Sequence, residues 1–287
     1  MIILLGAIIV TVSVLGGFVL GHGKLFALLQ WSEFIVICGC MVGALVTMSP
    51  RKVLVDLIKQ ALASLRGAPY NKEAYMDLLK ALYELFMLGR RNGMIALEEH
   101  VMGPQTSSIF TKYPSFIKNH HAVEFLCNSL RPIIDGKIKP DQLKLILEIE
   151  LESKEAEHHA PVTVLSRTAD SLPGFGIVAA VLGIVITMGS IGGPVDMIGK
   201  HVAAALVGTF LGILISYGYL NPLALNLEFL GQAELAYTKC IADSVVGFAH
   251  GMAPIMAVEV ARRGLSSDVR PSADELEQLL KAMTKGK

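Results

Sequence analysis

Thr209, Pro173 and Pro222 are the residues that stand out by type and placement in this sequence. Thr209 stands inside a long apolar run, and the prolines bracket two such runs. A threonine in lipid either bonds the carbonyl four residues back or turns its hydroxyl towards a polar path, and both readings stay open. Pro173, preceded by Asp170 and Ser171, reads as the first-turn proline of a helix start. Pro222 reads as a kink or stop at a helix end. The chemistry that is missing says more. Between Pro173 and Pro222 no ionisable side chain stands outside the connection between the two runs. Proton relays in membranes are built from Asp, Glu or His, so an ion-driven machine made from this chain needs a carboxylate from a partner.

Outside the apolar runs, Arg90 and Arg91 precede Asn92 and Gly93, and Glu98 and Glu99 follow. Such a group serves as a solvated face or a helix-end charge pair, or as a surface steered onto a charged partner. His120–His121 and His158–His159 are neighbours that point to different helix faces, and they read as surface residues. Cys38, Cys40, Cys127 and Cys240 lack metal-ligand spacing. No phosphate-binding loop, nucleophile elbow or pair of catalytic carboxylates is present. The expectation is a protein that is not an enzyme and has no cofactor or metal.

The elements that carry these residues are membrane helices. The chain is 53% hydrophobic and only 17% charged, with a mean hydropathy of +0.54. Soluble domains carry about 25% charged residues. Four stretches lack Asp, Glu, Lys and Arg: Met1 to Leu20, Phe34 to Ser49, Pro173 to about Ile191, and Val202 to about Leu220. A span needs roughly 20 apolar residues, so the second is long enough only with Trp31, Ser32 and Glu33 in the headgroup region. The first has no basic region ahead of it and reads as a retained span, not a signal peptide. Lysine and arginine set the orientation. Residues 51–170 hold 16 of them and residues 221–287 hold 7, whereas the short connections hold only Lys24 and Lys200. Positive charge stays inside, which makes the middle segment, the tail and both termini cytoplasmic.

The expected fold is therefore all-α and polytopic. Residues 1–50 form a hairpin turning near Gly21–Gly23, 51–170 a cytoplasmic helical module, 171–222 a second hairpin with the outer loop Gly192–Lys200, and 223–287 a helical tail. Within the module, helices are expected over Lys52–Ser64, Lys72–Arg91, Pro114–Arg131 and Pro140–Glu157, with breaks at Gly67–Pro69, Gly103–Pro104 and Asp135–Gly136. In the tail, one continuous helix is expected over 223–263 and a short one over Ala273–Met283. Gly176, Ala180 and Gly183 share one helix face, as do Ala205, Gly208, Gly212 and Ser216. Small residues at this spacing permit close helix approach, either within one hairpin or against another membrane helix.

The runs Leu172-Pro-Gly-Phe-Gly-Ile-Val-Ala-Ala-Val-Leu-Gly and Leu206-Val-Gly-Thr-Phe-Leu-Gly-Ile-Leu-Ile-Ser-Tyr-Gly-Tyr-Leu-Asn-Pro resemble the third and fourth membrane helices of the MotA family of flagellar stator proteins. The runs Gly89-Arg-Arg-Asn-Gly-Met-Ile-Ala-Leu-Glu-Glu-His and Gly251-Met-Ala-Pro-Ile-Met-Ala-Val-Glu-Val-Ala-Arg-Arg resemble its cytoplasmic parts. The likeness extends over roughly residues 1–265. It implies a pentamer around a MotB dimer whose membrane aspartate carries the ion. It implies that Pro173 and Pro222 couple that aspartate to conformational change, and that Arg90, Glu98 and Glu150 meet the rotor protein FliG. Sodium-driven relatives place a threonine where this chain has Ala180 and another at Thr209. The loss of one hydroxyl at Ala180 favours protons over sodium. The alternative is an ExbB- or TolQ-type energiser, which usually has three spans. A permease would need a polar cluster inside the spans, and none is visible.

Overall fold

Backbone amides and carbonyls find no water in a bilayer, so an apolar segment must close its hydrogen bonds within itself, and a helix does this. The computed structural model describes residues 2–65, 67 and 70–285. Among them are helices and no strands. The α-helices are α1 (Ile2–Leu20), α2 (Trp31–Met48), α3 (Arg51–Ser64), α4 (Lys72–Asn92), α5 (Glu98–Met102), α6 (Pro114–Ile117), α7 (His120–Ile134), α8 (Pro140–Gly189), α9 (Val195–Ile213), α10 (Asn221–Ala249), α11 (Pro254–Arg263) and α12 (Ala273–Lys285). A π-helical segment, Leu214–Leu220, joins α9 to α10. Four stretches are long and apolar enough to cross a membrane: Ile2–Leu20, Leu25–Met48, Pro140–Gly189 and Val195–Ala249. The expected all-α architecture with four spans is the one found.

Several helix boundaries differ from expectation. The helix expected to stop at Glu157 and the span expected to begin near Pro173 are one 50-residue helix, α8, with Pro161 and Pro173 inside it. Pro173 is therefore not a first-turn proline. Pro222 does not stop the fourth span either, because the π segment carries the helix past it. The segment Pro114–Arg131 splits into α6 and α7, since the side chain of Asn119 accepts from the Ala122 amide and caps a new helix. The extension over 223–263 breaks after Ala249, where Gly251 takes φ +82° and α11 starts afresh at Pro254. Part of the outer loop Gly192–Lys200 is helical, as α9 begins at Val195. The expected breaks at Gly67 and Gly136 hold, both with positive φ. Ala68 and Pro69 lie outside the described residues.

The chain forms two compact units, each assembled from two separate stretches: Met1–Gly67 with Glu157–Leu230, and Ala68–Ala156 with Gly231–Lys287. In the first, Ile37 of α2 packs with Leu172 and Ala179 of α8 and Val207 and Leu211 of α9. Leu57 of α3 packs with Val162, Leu165, Ala224 and Leu227. Helix α1 has no buried residue. It touches the π segment, where the Thr11 and Tyr219 hydroxyls lie 2.8 Å apart.

The second unit holds a larger core. Leu78, Leu79, Leu82, Leu85 and Phe86 of α4 are fully buried, as their three- and four-residue spacing predicts. The tail completes this core through Tyr237, Phe248 and Val258. Phe86 and Phe248 stack at 4.4 Å between ring centroids. Glu84, nearly buried, is neutralised by Lys112 Nζ at 2.6 Å and accepts from the Tyr113 hydroxyl at 3.1 Å.

Candidate ion path and docking surface

Helices approach within backbone contact only where side chains are absent, and the small residues of α8 and α9 supply that condition. A Cβ built on Gly176 would lie 2.9 Å from the carbonyl oxygen of Gly208, and one on Gly212 would lie 2.6 Å from that of Leu172. Gly183 faces Ala205 in the same way. The two stripes therefore pack on each other within one hairpin. Ala180 lies one turn beyond Gly176 and is half-buried.

Pro173 has no N–H, so the carbonyl of Ala169, four residues back, loses its helical donor. Ser216, fully buried in the π segment, donates its hydroxyl to that carbonyl at 2.6 Å. Asn221 Nδ2 reaches Asp170 Oδ1 at 3.3 Å and Ser216 Oγ at 3.5 Å. The Asn221 amide donates to Ser216 O, five residues back, so π register persists up to Pro222. The change back to α register falls where proline supplies no N–H. The two prolines thus lie on facing helices, joined by Ser216, Asn221 and Asp170.

Thr209 lies beside Gly176, whose built Cβ would be 3.2 Å from the Thr209 Cα. The hydroxyls of Thr168 and Thr187 bond the carbonyl four residues back. The half-buried Thr209 hydroxyl makes no such bond among the described residues. Glu33 escaped the sequence reading, which put it at headgroup level. It is 5% exposed. A Cβ at Gly208 would sit 2.5 Å from Glu33 Oε2 and 3.0 Å from the Ala179 Cβ. The signal available in the sequence was an acid in the first turn of an otherwise apolar helix, opposite a glycine in another.

In the second unit, Arg90 ends α4 and Glu98 begins α5, with Gly93 at φ +86° turning the chain between them. Both side chains are exposed, and neither forms an ion pair among the described residues. The helix-end charge pair is therefore not formed. Exposed Ile95 and Met102 flank them. Glu150 is half-buried on α8. Nearby His100 is buried against Ser107 Oγ at 2.8 Å, and burial holds its imidazole below the usual histidine range.

Comparison with known proteins matches residues 4–93 to the family described as Motility protein A N-terminal and residues 117–228 to the MotA/TolQ/ExbB proton channel family. Motility protein A of Escherichia coli K12 is 37% identical, covering 99% of this chain and 96% of its own length. Chemotaxis protein LafT of Vibrio parahaemolyticus is 36% identical, covering 96% of this chain and 97% of its own. The C. jejuni MotAB structure superposes with a TM-score of 0.79 at 20% identity, over 94% of this chain and 98% of that one. The Bacillus subtilis flagellar MotAB stator complex gives 0.74 at 24% identity, over 96% and 98%. These two share the fold. The match of the N-terminal hairpin favours a flagellar stator over the ExbB or TolQ alternative. With four spanning helices and full-length likeness to these relatives, the chain is a multi-pass membrane protein that belongs to the motility protein A family of flagellar stator subunits, within the MotA/TolQ/ExbB proton channel family.

Proposed function

We propose that this chain forms, as a pentamer around a MotB dimer, a proton channel that turns the flagellar rotor. The observation that carries the mechanism is the pair of prolines on facing helices with an uncommitted Thr209 hydroxyl beside Gly176, and no acidic side chain on α8 from Pro173 to Gly189 or on the facing helix from Val202 to Asn221. The partner's membrane aspartate supplies the missing charge. Protonation removes that charge, changes how the partner helix packs near Pro173 and Thr209, and biases the hinge held by Ser216. The lysine and arginine distribution supports a cytoplasmic location for both termini and the second unit's segments. There Arg90, Glu98 and Glu150 meet FliG, by charge complementarity that steers docking.

Protons are the coupling ion in this reading. Sodium needs several oxygens to replace its water shell, and Ala180 offers none from its side chain. One charge crossing 100 mV yields about 2.3 kcal/mol, so high torque needs either several ions per rotor step or many stators. The test is rotation of tethered cells that depend on this chain and its own MotB, with sodium withdrawn at constant proton-motive force. Unchanged speed supports protons. Arrest assigns sodium, with Thr209 and backbone carbonyls as its ligands. A chain that restores no rotation in cells lacking their own stator overturns the reading.

A further inference from the structure

Glu33 is the one acid in the first unit whose side chain is buried at the α8–α9 crossing, and nothing in the mechanism above uses it. Its Oε1 accepts only a long 3.4 Å bond from Ser32 Oγ. Its Oε2 is buried and receives no donor from the chain. Buried acids kept for structure are paired, as Glu84 is with Lys112 and Tyr113. An ionisable group in a membrane without such a partner points to function. Glu33 also borders the ion path: it contacts Gly208, next to Thr209, and lies near Ala179, next to Ala180.

The surrounding charges are few. From α8, no titratable group faces it between Asp170 and the loop after Gly189. From α9, His201 lies two turns before Gly208 on the same face, with Nδ1 3.3 Å from Ser190 Oγ, and Lys200 and Asp196 lie further out. Helix α2 brings no other acid or base apart from its two cysteines, and the short turn at Leu25–Leu28 is preceded by Lys24. His201 thus stands two helical turns, roughly 10 Å along α9, on the loop side of Gly208 and Glu33, with Thr209 next beyond Gly208.

We propose that Glu33 is a proton carrier belonging to this chain. Its carboxylate takes a proton from water on the His201 side, becomes a neutral carboxyl, gives the proton to the partner's membrane carboxylate and returns to carboxylate. This rests on the stator reading. Torque near stall depends on work per ion, whereas speed at low load depends on how fast ions are delivered. Glu33→Gln should therefore keep stall torque and cut low-load speed by about a hundredfold, the low end of the range that loss of a proton-transferring group produces. Glu33→Asp should fall between it and the wild type. A general packing defect would lower stall torque as well.

The experiment measures rotation against load in cells lacking their own stator. If the wild-type chain does not restore rotation, the stator reading itself falls. If it does, and assembled Glu33→Gln matches it at low load, only the carrier role falls. Loss of stall torque in both variants, or failure of both to copurify with MotB, also overturns it, because Glu33 would then be a packing element.

Discussion

The Ser216 hydroxyl donates at 2.6 Å to the carbonyl of Ala169, the acceptor that Pro173 strands inside α8. A buried carbonyl left without a donor costs about 1–3 kcal/mol. Ser216→Ala should therefore lower the thermal stability of the purified complex by roughly that order, followed by intrinsic fluorescence. Asn221→Ala, which removes only bonds of 3.3 and 3.5 Å, should cost less.

Glycines on the packed faces should tolerate no side chain. Gly212→Ala puts a methyl 2.6 Å from the Leu172 carbonyl oxygen, a backbone atom that cannot turn aside. Overpacking of this kind costs about 1–3 kcal/mol, and reduced yield of assembled complex should report it. Gly174→Ala is the control. It meets nothing within 4 Å and should gain about 1 kcal/mol of helix propensity.

Thr209→Val keeps the shape and removes the hydroxyl. Because that hydroxyl holds no bond among the described residues, melting should be unchanged. Rotation at low load should slow, and Thr209→Ser should restore it. A fall in melting temperature with normal rotation would assign Thr209 to packing.

Charge reversal at Arg90 or Glu98 should leave folding within about 0.5 kcal/mol of wild type, since both are exposed and form no ion pair among the described residues. Torque should drop, and a compensating reversal on FliG should recover part of it. Equal torque in all variants would remove these residues from the rotor contact.

Glu259 accepts from Arg262 at 2.7 and 2.8 Å and from Arg263 at 2.9 Å. These bonds, Arg262 first, push its carboxyl down to about 2 from an ordinary 4.5. The folded state thus favours the charged form. The stability this contributes is complete above pH 4.5 and is lost as pH falls towards 2. The difference in melting temperature between wild type and Glu259→Gln should shrink across that window. A constant difference would show that the contribution is packing, not charge.

Hydropathy and helical spacing are local properties, and what depends on them was legible in the residues. The four spans, the buried stripe of α4 and the lack of acids on the third and fourth spans all follow from order along the chain. The expected breaks at Gly67 and Gly136 needed positive φ, which glycine accepts without strain. The fate of the helix at Pro173 and at Pro222 was not legible, although the starts at Pro114 and Pro140 were. Proline removes a donor wherever it stands, but whether the helix survives depends on who serves the stranded carbonyl. For Ala169 that donor comes from 47 residues along the chain.

The sequence by itself determined that this chain crosses a membrane with small-residue helices and that its third and fourth spans carry no acid. Only the tertiary structure decided that α8 runs unbroken through Pro173, that the small stripes face each other, and that Glu33 is drawn into their crossing. The reason is that a side chain's partner in space, not its neighbours in sequence, sets whether its polar atoms are satisfied.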